Sequence, residues 1–306
     1  MLRYLGYVGS PLGIHAPIDR TVRLANATRA RLTSLIAENL DNLATVLRYD
    51  AAHGIRFHRM SSQIIPFASH LGVDLPDWPR AFAPRLRAIG DFVRANGMRV
   101  SMHPGRFTLL NARDRSVREA AMRELRYHVV LLETMGLGLE HKVVLHVGGV
   151  YGDRAGAIAR FVQVMSAIDE AWRGRLAVEN DERSYGVEDV LLVASAAGIP
   201  AVFDWLHYRS HPRDRCTAVE ESIARCFGTW TRRDGPPKAH FSGQARGARP
   251  GAHSDWADPG EFRSFLAVCP LDVDFDCMLE CKRKDLALLR LRDDLRQAGV
   301  AAERAA

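Results

Sequence analysis

The chain has 306 residues, of which 47% are hydrophobic and 25% are charged, and its formal net charge is +6. A chain of this length and apolar content can bury a sizeable core as a single domain. No apolar run approaches the roughly 20 residues that a membrane-spanning helix needs, so we expect no membrane association. The modest positive charge weakly favours an anionic partner.

Five cysteines are scattered along the chain without a known metal-binding spacing, and an odd number cannot form a complete set of disulfides. We therefore expect reduced thiols and a cytoplasmic protein, associated with the nucleoid if it is bacterial. The chain enters an apolar strand pattern almost at once, so we expect no secretory leader. No obligate protein partner is evident, and we expect a monomer.

Apolar strands and amphipathic helices alternate along the chain. The predicted strands are residues 2–9, 55–60, 98–103, 142–147, 175–180, 200–204, 237–241 and 272–279. Helical periodicity follows them in residues 28–53, 80–96, 115–135, 154–173, 187–197, 215–229, 259–268 and 282–298. Eight such rounds predict an α/β fold, a (β/α)8 TIM barrel that forms one domain over residues 1–298, with 299–306 as a disordered tail. A doubly wound open sheet is the alternative, and it would place the strand ends along a line.

Potential metal ligands occur at or just past the ends of six successive predicted strands. They are His103, His146, Glu179, Asp204, His207, His240, His253 and Glu280. Because the carboxyl ends of the strands converge on one mouth in a closed parallel barrel, we expect these side chains to meet. Three carboxylates in one mouth repel each other unless cations lie between them. The number of ligands predicts two or three divalent ions, and the mixture of imidazole and carboxylate suits manganese, zinc or iron.

Lys238 lies two residues before His240, so the two side chains face the same side of the seventh strand. An ammonium group cannot ligate a metal. This lysine therefore contacts phosphate, or is carboxylated and thereby becomes an anionic ligand, or is an ordinary barrel lysine that extends towards solvent.

Glycines and arginines near the mouth suit contacts with phosphate. Gly148 and Gly149 directly follow a predicted ligand and would let a phosphate approach closely, although a simple turn explains them nearly as well. Arg246 and Arg249 lie in a Gly-rich loop and suit phosphate contacts, with a solvated loop as the alternative.

Arg106 and Phe107 place a cation and an aromatic ring just past the predicted ligand His103. Such a pairing suits stacking on bases or wedging between them. The alternative is that Phe107 packs beneath its own loop.

These motifs together resemble the UV damage endonuclease family. The matching segments include IPFASH at 65–70, SMHPG at 101–105, LHVGGVYG at 145–152, VEND at 178–181, DWLH at 204–207 and PGAH at 250–253. The resemblance extends from 5–7 to 280–282. It implies a barrel related to endonuclease IV that nicks damaged double-stranded DNA immediately 5′ of UV photoproducts and some other lesions, with a manganese-type cluster.

The resemblance also implies three metals and a catalytic set. The first metal would be held by Glu179, Asp204, His240 and Glu280, the second by His103, His146 and the bridging Glu179, and the third by His207, His253 and a carboxylated Lys238. The catalytic residues would be Glu179, His146, His240, Glu280 and Lys238. Tyr7 and the Arg106–Phe107 pair map onto lesion-probing positions. Because the family often carries Gln where this chain has Arg106, we expect a gain in phosphate affinity at the expense of base discrimination.

Three alternatives remain open on the residues. A sugar isomerase or epimerase on a similar barrel would leave His207, His253 and Lys238 surplus. A plain abasic-site endonuclease shares the chemistry and differs only in the lesion. A non-catalytic barrel would bind DNA without nicking it. For an endonuclease, the recessed strand ends require that the DNA bend and expose its damaged bases.

Overall fold

The computed structural model describes residues 1–214, 218–299 and 303. The strands are β1 Leu2–Val8, β2 Phe57–Arg59, β3 Arg99–Ser101, β4 Val143–His146, β5 Leu176–Glu179, β6 Ala201–Asp204, β7 Lys238–Phe241 and β8 Phe275–Leu279. The helices are α1 Arg29–Ala52, α2 Trp78–Ala81, α3 Ala83–Ala95, α4 Arg115–Thr134, α5 Arg154–Ala167, α6 Glu170–Arg173, α7 Val187–Ala197, α8 Trp205–Ser210, α9 Val219–Gly228, α10 Pro259–Ala267 and α11 Lys284–Gln297.

The eight strands pair in parallel, in the order β3-β2-β1-β8-β7-β6-β5-β4. The two outer strands of this order meet through Met102. Its amide donates to the Lys142 carbonyl at 2.9 Å, and its carbonyl accepts from the Val144 amide at 2.9 Å. This isolated bridge completes the ring, so the predicted TIM barrel is confirmed and the open-sheet alternative is wrong. None of the described helices is long and apolar enough to cross a membrane.

The element boundaries differ from the predicted ones where local capping intervenes. The predicted helix 154–173 is divided into α5 and α6, because the Asp169 side chain accepts from the Ala171 amide at 2.8 Å and starts a new helix. The short helix α8 was not predicted. Residues 215–217 of the predicted helix 215–229 lie outside the described residues, as does the predicted tail apart from Gly299 and Glu303.

Both faces of the sheet are covered. β5, β6, β7 and β8 are buried at every position, as expected for parallel strands that have helices on one side and barrel interior on the other. The helical layer is closely packed. At Gly90 in α3, an added Cβ would lie 1.8 Å from the Met135 carbonyl oxygen, so only glycine allows this approach to the end of α4.

Charged side chains close the amino-terminal end of the barrel, opposite the predicted ligands. Asp276 is fully buried, and its carboxylate accepts from Arg99 at 2.8 Å and from Arg3 at 2.7 Å. Nearby, the buried Lys142 ammonium donates to Asp234 at 2.6 Å. Residues at this end contribute to the stability of a barrel, whereas chemistry is located at the carboxyl ends of the strands.

We expect Asp276→Ala to lower the free energy of unfolding by about 3–5 kcal/mol, because it leaves the buried Arg99 guanidinium without its counter-charge. Urea denaturation followed by circular dichroism measures this loss. Asp293→Ala is the control, since Asp293 pairs with Arg296 in solvent, and it should cost less than about 0.5 kcal/mol. Equal losses in the two variants would contradict the structural role of Asp276.

Candidate metal centre

Glu179, the last residue of β5, lies at the centre of the barrel mouth. Its side chain is fully buried, and its two oxygens face different histidines. Oε2 lies 2.8 Å from His103 Nε2, and Oε1 lies 2.8 Å from His240 Nδ1. His207 Nδ1 lies 3.5 Å from the same Oε1. One carboxylate thus connects residues at or near the carboxyl ends of three other strands.

Two sets of potential ligands share Glu179. They are His103, His146 and Glu179, and Glu179, Asp204, His240 and Glu280. Within each set, the ligand atoms lie within 4.8 Å of one another. Atoms bound to one ion at about 2.0–2.2 Å are separated by about 3–4 Å, so each set is compact enough to surround an ion. The composition of the two sets matches the first two metals that the resemblance implied.

Several buried atoms of the predicted ligands have no hydrogen-bond partner among the described residues. They are His146 Nδ1, Asp204 Oδ2, His207 Nε2, His240 Nε2 and His253 Nδ1. Leaving a buried polar group unsatisfied costs about 1–3 kcal/mol, and coordination to a metal would satisfy it. The residues present therefore fit a divalent ion.

The electrostatics of the mouth are those of an anionic site. Burial lowers the pKa of His146 to about 3 and that of His240 to about 4, so both imidazoles are neutral and have a lone pair available for a metal. Burial, helped by Glu179 and Glu280 against the effect of His207, raises the pKa of Asp204. A proton on Asp204 offsets the excess negative charge of the neighbouring carboxylates, and a divalent cation would replace that proton.

The turn after β6 explains how Asp204 and His207 are positioned. Asp204 caps α8, because its Oδ1 accepts from the His207 amide at 2.6 Å, which leaves Oδ2 facing the mouth. Asn180 fixes both residues from the neighbouring strand. Its side-chain Oδ1 accepts from the Asp204 amide at 2.8 Å, and its carbonyl oxygen lies 2.9 Å from His207 Nδ1.

The third predicted ligand group is only partly assembled. The His207 and His253 rings lie 6.1 Å apart between centroids. Lys238 is fully buried inside the barrel, where its Nζ donates to Ser101 Oγ at 2.9 Å and lies 5.2 Å from the Phe57 ring centre. The lysine faces the same side as the predicted ligand His240, but its amine is directed towards β2 and β3. It does not extend towards solvent.

Tyr7 is the penultimate residue of β1, but its side chain does not open onto the mouth. Its ring is fully buried between β1 and α1, and its hydroxyl donates to Asp50 Oδ1 at 2.7 Å. The ring also makes an edge contact with His58, with 5.0 Å between centroids. In this position Tyr7 supports the attachment of α1 to the barrel, which argues against the predicted role as a lesion probe.

The glycines after β4 are explained by packing. Gly148 has a φ of +112°, and a Cβ there would lie 2.4 Å from the side-chain oxygen of Asn111. The Gly149 amide donates to that oxygen at 3.2 Å, and its carbonyl accepts from Tyr185 at 2.9 Å. These contacts favour the turn interpretation over a phosphate site.

The predicted DNA contacts lie on the rim. Phe107 is 93% exposed, so it does not pack beneath its loop. Arg246 and Arg249 are also exposed, in the loop between β7 and α10. Arg106 is exposed too, but its guanidinium is engaged by Glu182 at 2.7 and 3.1 Å.

Sequence reasoning overlooked Arg59, the last residue of β2. Its guanidinium pairs with Glu280 at the mouth, where both side chains are less than a tenth exposed. Its position could have identified it, since Arg59 ends β2 at the same height in the barrel as the predicted ligands. Arg59 supplies a fixed positive charge to the same carboxylate that belongs to the second ligand set.

The chain is a (β/α)8 barrel whose mouth holds two sets of imidazole and carboxylate groups around a shared glutamate, and each set could hold a metal ion. The family model described as UV-endonuclease UvdE matches residues 6–303. The chain therefore belongs to the UV-endonuclease family, as the resemblance predicted, and the sugar isomerase or epimerase alternative is not retained.

Individual relatives agree with this assignment. The UV DNA damage endonuclease of Bacillus pumilus (strain SAFR-032) is 37% identical over 258 residues, which cover 84% of this chain and 80% of the relative. That of Clostridium perfringens (strain 13 / Type A) is 31% identical over 294 residues, which cover 96% and 71%.

Solved structures agree with the fold. The crystal structure of SacUVDE superposes with a TM-score of 0.88 at 30% identity, and the match covers 97% of this chain and 99% of that one. Endonuclease IV from Thermus thermophilus has a TM-score of 0.60 at 16% identity over 96% of this chain and 99% of that one, and it shows the shared fold alone.

Proposed function

We propose that this protein is a metal-dependent DNA-repair endonuclease that nicks the backbone immediately 5′ of UV photoproducts, acting as a monomer on damaged double-stranded DNA. The observation that carries the proposal is the buried Glu179, which is shared by two compact ligand sets at the mouth of a barrel of the UV-endonuclease family. The relatives named UV DNA damage endonuclease support the substrate class.

The ligand atoms suit two ions that share one carboxylate, and we propose manganese as the metal, with zinc or iron as alternatives. Bound divalent ions would supply the charge neutralisation and the water activation that phosphodiester hydrolysis requires. The chain's own contribution is to hold the carboxyl groups of Glu179, Asp204 and Glu280 close together and to keep the His146 and His240 imidazoles neutral. Arg59 orients Glu280 from the side.

The ligands lie at the ends of buried strands, below the rim that the loops form. A straight duplex cannot bring its backbone to them, so the DNA must bend and its damaged bases must leave the stack. Photoproducts already weaken pairing and stacking, so this extrusion costs less at a lesion. Phe107 extends from the rim with nearly its whole ring in solvent, which suits it to occupy the space that the distorted bases leave.

Phe107→Ala is expected to weaken binding of a dimer-containing duplex by about 1–3 kcal/mol, the usual value of one aromatic–base stack. Metal content and melting temperature should not change, because the ring packs against nothing that the fold requires. Fluorescence anisotropy with damaged and intact duplexes measures the effect. Leu271→Ala is the control, since Leu271 is 83% exposed at the opposite end of the barrel. Unchanged discrimination between the two duplexes would remove Phe107 from lesion recognition.

Plasmid nicking tests the proposed activity. Protein stripped with a chelator and then reloaded with Mn²⁺ should convert UV-irradiated supercoiled plasmid to the nicked form and leave unirradiated plasmid intact. The stripped protein should nick neither. Preferential nicking of depurinated plasmid would instead support the abasic-site alternative, and binding without nicking in any metal would support a non-catalytic barrel.

A further inference from the structure

Arg106 and Glu182 form a pair at the mouth that the metal centre does not explain. Glu182 lies in the loop after β5, and its Oε1 and Oε2 accept from Arg106 Nη1 and Nη2 at 2.7 and 3.1 Å. The Arg106 side chain is 54% exposed, whereas that of Glu182 is only 10% exposed. A bidentate ion pair with one buried partner keeps its geometry better than an ordinary surface ion pair.

Glu182 is itself held from two sides. Its Oε2 lies 3.6 Å from His207 Nε2. On the other side, Gly251 has a φ of +77°, and a Cβ there would lie 2.4 Å from Glu182 Cγ. The loop between β7 and α10 thus needs a glycine to leave room for this side chain. Through Glu182, Arg106 is held beside the loop after β5, helix α8 and the loop between β7 and α10.

The pair carries no net charge. Arg106 donates two hydrogen bonds to the Glu182 carboxylate, so the negative charge of one side chain compensates the positive charge of the other. The loop that carries Phe107 therefore presents a compensated guanidinium. This differs from the expectation that Arg106 adds a phosphate contact.

We propose that Glu182 is a specificity-determining residue, which withholds the Arg106 guanidinium from the DNA backbone and fixes the loop that presents Phe107. The inference rests on the proposed function. A free arginine at the rim would strengthen binding to damaged and intact duplexes alike, because phosphates carry no information about the bases. When the charge of Arg106 is compensated, discrimination between damaged and intact duplex depends on the Phe107 ring. The ring can insert only where the bases are already distorted.

A double-mutant cycle tests the pairing. Wild type, Arg106→Gln, Glu182→Gln and the double variant are titrated by fluorescence anisotropy against intact duplex and against duplex with one cyclobutane dimer, over a range of KCl concentrations. Glu182→Gln releases the guanidinium. It should tighten binding to intact duplex about three- to tenfold at low salt and steepen the slope of log K against log [KCl] by about 0.9, the value for one phosphate contact. The preference for damaged duplex should fall.

The Arg106→Gln background separates this release from a general loss of negative charge. There, Glu182→Gln should leave the salt slope unchanged, because no guanidinium remains to be released. An equal change of slope with and without Arg106 would overturn the proposal. Glu188→Gln is the matched control, since Glu188 accepts from Nη1 and Nη2 of Arg225 on the helical shell, and it should change neither slope nor preference.

Two further measurements complete the test. If Glu182→Gln lowers the melting temperature, the double variant Arg106→Glu, Glu182→Arg, which exchanges the two charges, is measured in its place. This double variant should keep the wild-type slope of log K against log [KCl]. If Glu182→Gln instead loses bound metal, Glu182 is a ligand beside His207 and the proposal is wrong. A wild type that does not distinguish the duplexes would refute the proposed function, whereas the coupling between Arg106 and Glu182 would still be measured on intact DNA.

Discussion

Glu179→Gln is expected to abolish cleavage while the barrel remains folded. Glutamine keeps the shape of the side chain but removes the charge that two ligand sets share, so at least one ion should be lost. Several kcal/mol of transition-state stabilisation would go with it, which corresponds to a fall in kcat of at least about a thousandfold. Single-turnover cleavage gives the rate, and elemental mass spectrometry gives the metal content.

Glu133→Gln is a suitable control for this variant, because Glu133 lies in α4, on the outside of the barrel, where its carboxylate lies 3.9 Å from Arg175. It should retain full activity and metal. Near-normal turnover of Glu179→Gln with full metal content would show that Glu179 does not bridge the ions.

Lys238→Ala is expected to lose about one metal per chain and at least about thirtyfold in kcat at saturating DNA, if the lysine carries the carbamate that we predict. Burial, together with Arg59 and Arg99, lowers the pKa of Lys238 well below its usual value. The neutral amine is the form that adds to carbon dioxide, with release of a proton, to give an anionic carbamate. Lys238 Nζ donates a hydrogen bond to Ser101 Oγ, and the carbamate stays a prediction.

Chemical rescue distinguishes the two roles of Lys238. Propionate should restore activity and metal to Lys238→Ala if a carboxylate has been lost. Propylamine should restore them if the amine itself is required. Ser101→Ala provides the comparison, because it removes the hydrogen-bond partner without removing the nitrogen. Rescue by the amine alone, with wild-type metal content, would contradict the carbamate.

The barrel could be predicted from sequence because its determinants are local. Each strand is a short apolar run, each helix has its own period, and the ligands follow the strands in order. The boundaries of α6 and α8 could not be predicted, since each depends on one aspartate that caps a helix at a particular backbone geometry. The same capping directs Asp204 Oδ2 to the mouth, which a position in sequence cannot show.

Tyr7 and Arg59 show why it was harder to predict on which side of a strand a side chain lies than to predict the strand itself. Parallel strands are apolar on both faces, so hydrophobicity does not reveal which residues of β1 face the barrel and which face α1. Side chains alternate along β1, and Tyr7 is directed to Asp50 of α1. The preceding residue, Gly6, has no room for a side chain, because an added Cβ would lie 2.4 Å from the Phe57 carbonyl oxygen. Arg59 was overlooked because an arginine is not a metal ligand, although it contacts the predicted ligand Glu280.

The pairing of Arg106 with Glu182 lies beyond sequence reasoning for a different reason. The two residues are 76 positions apart, and only the closure of the barrel brings their loops together. Their pairing changes the interpretation of Arg106 from a free cation to a compensated one. The spacing of residues in a sequence does not reveal such contacts between loops that follow different strands.

The measurement that tests the central claim most directly is the position of the nick on a duplex with one cyclobutane dimer. The strand carrying the dimer is labelled at its 5′ end, and the protein is supplied with Mn²⁺ after chelation. The account predicts one product, cut immediately 5′ of the dimer, which is absent without metal and absent with Glu179→Gln. A cut at another position, or the same cut in the presence of excess chelator, would contradict it.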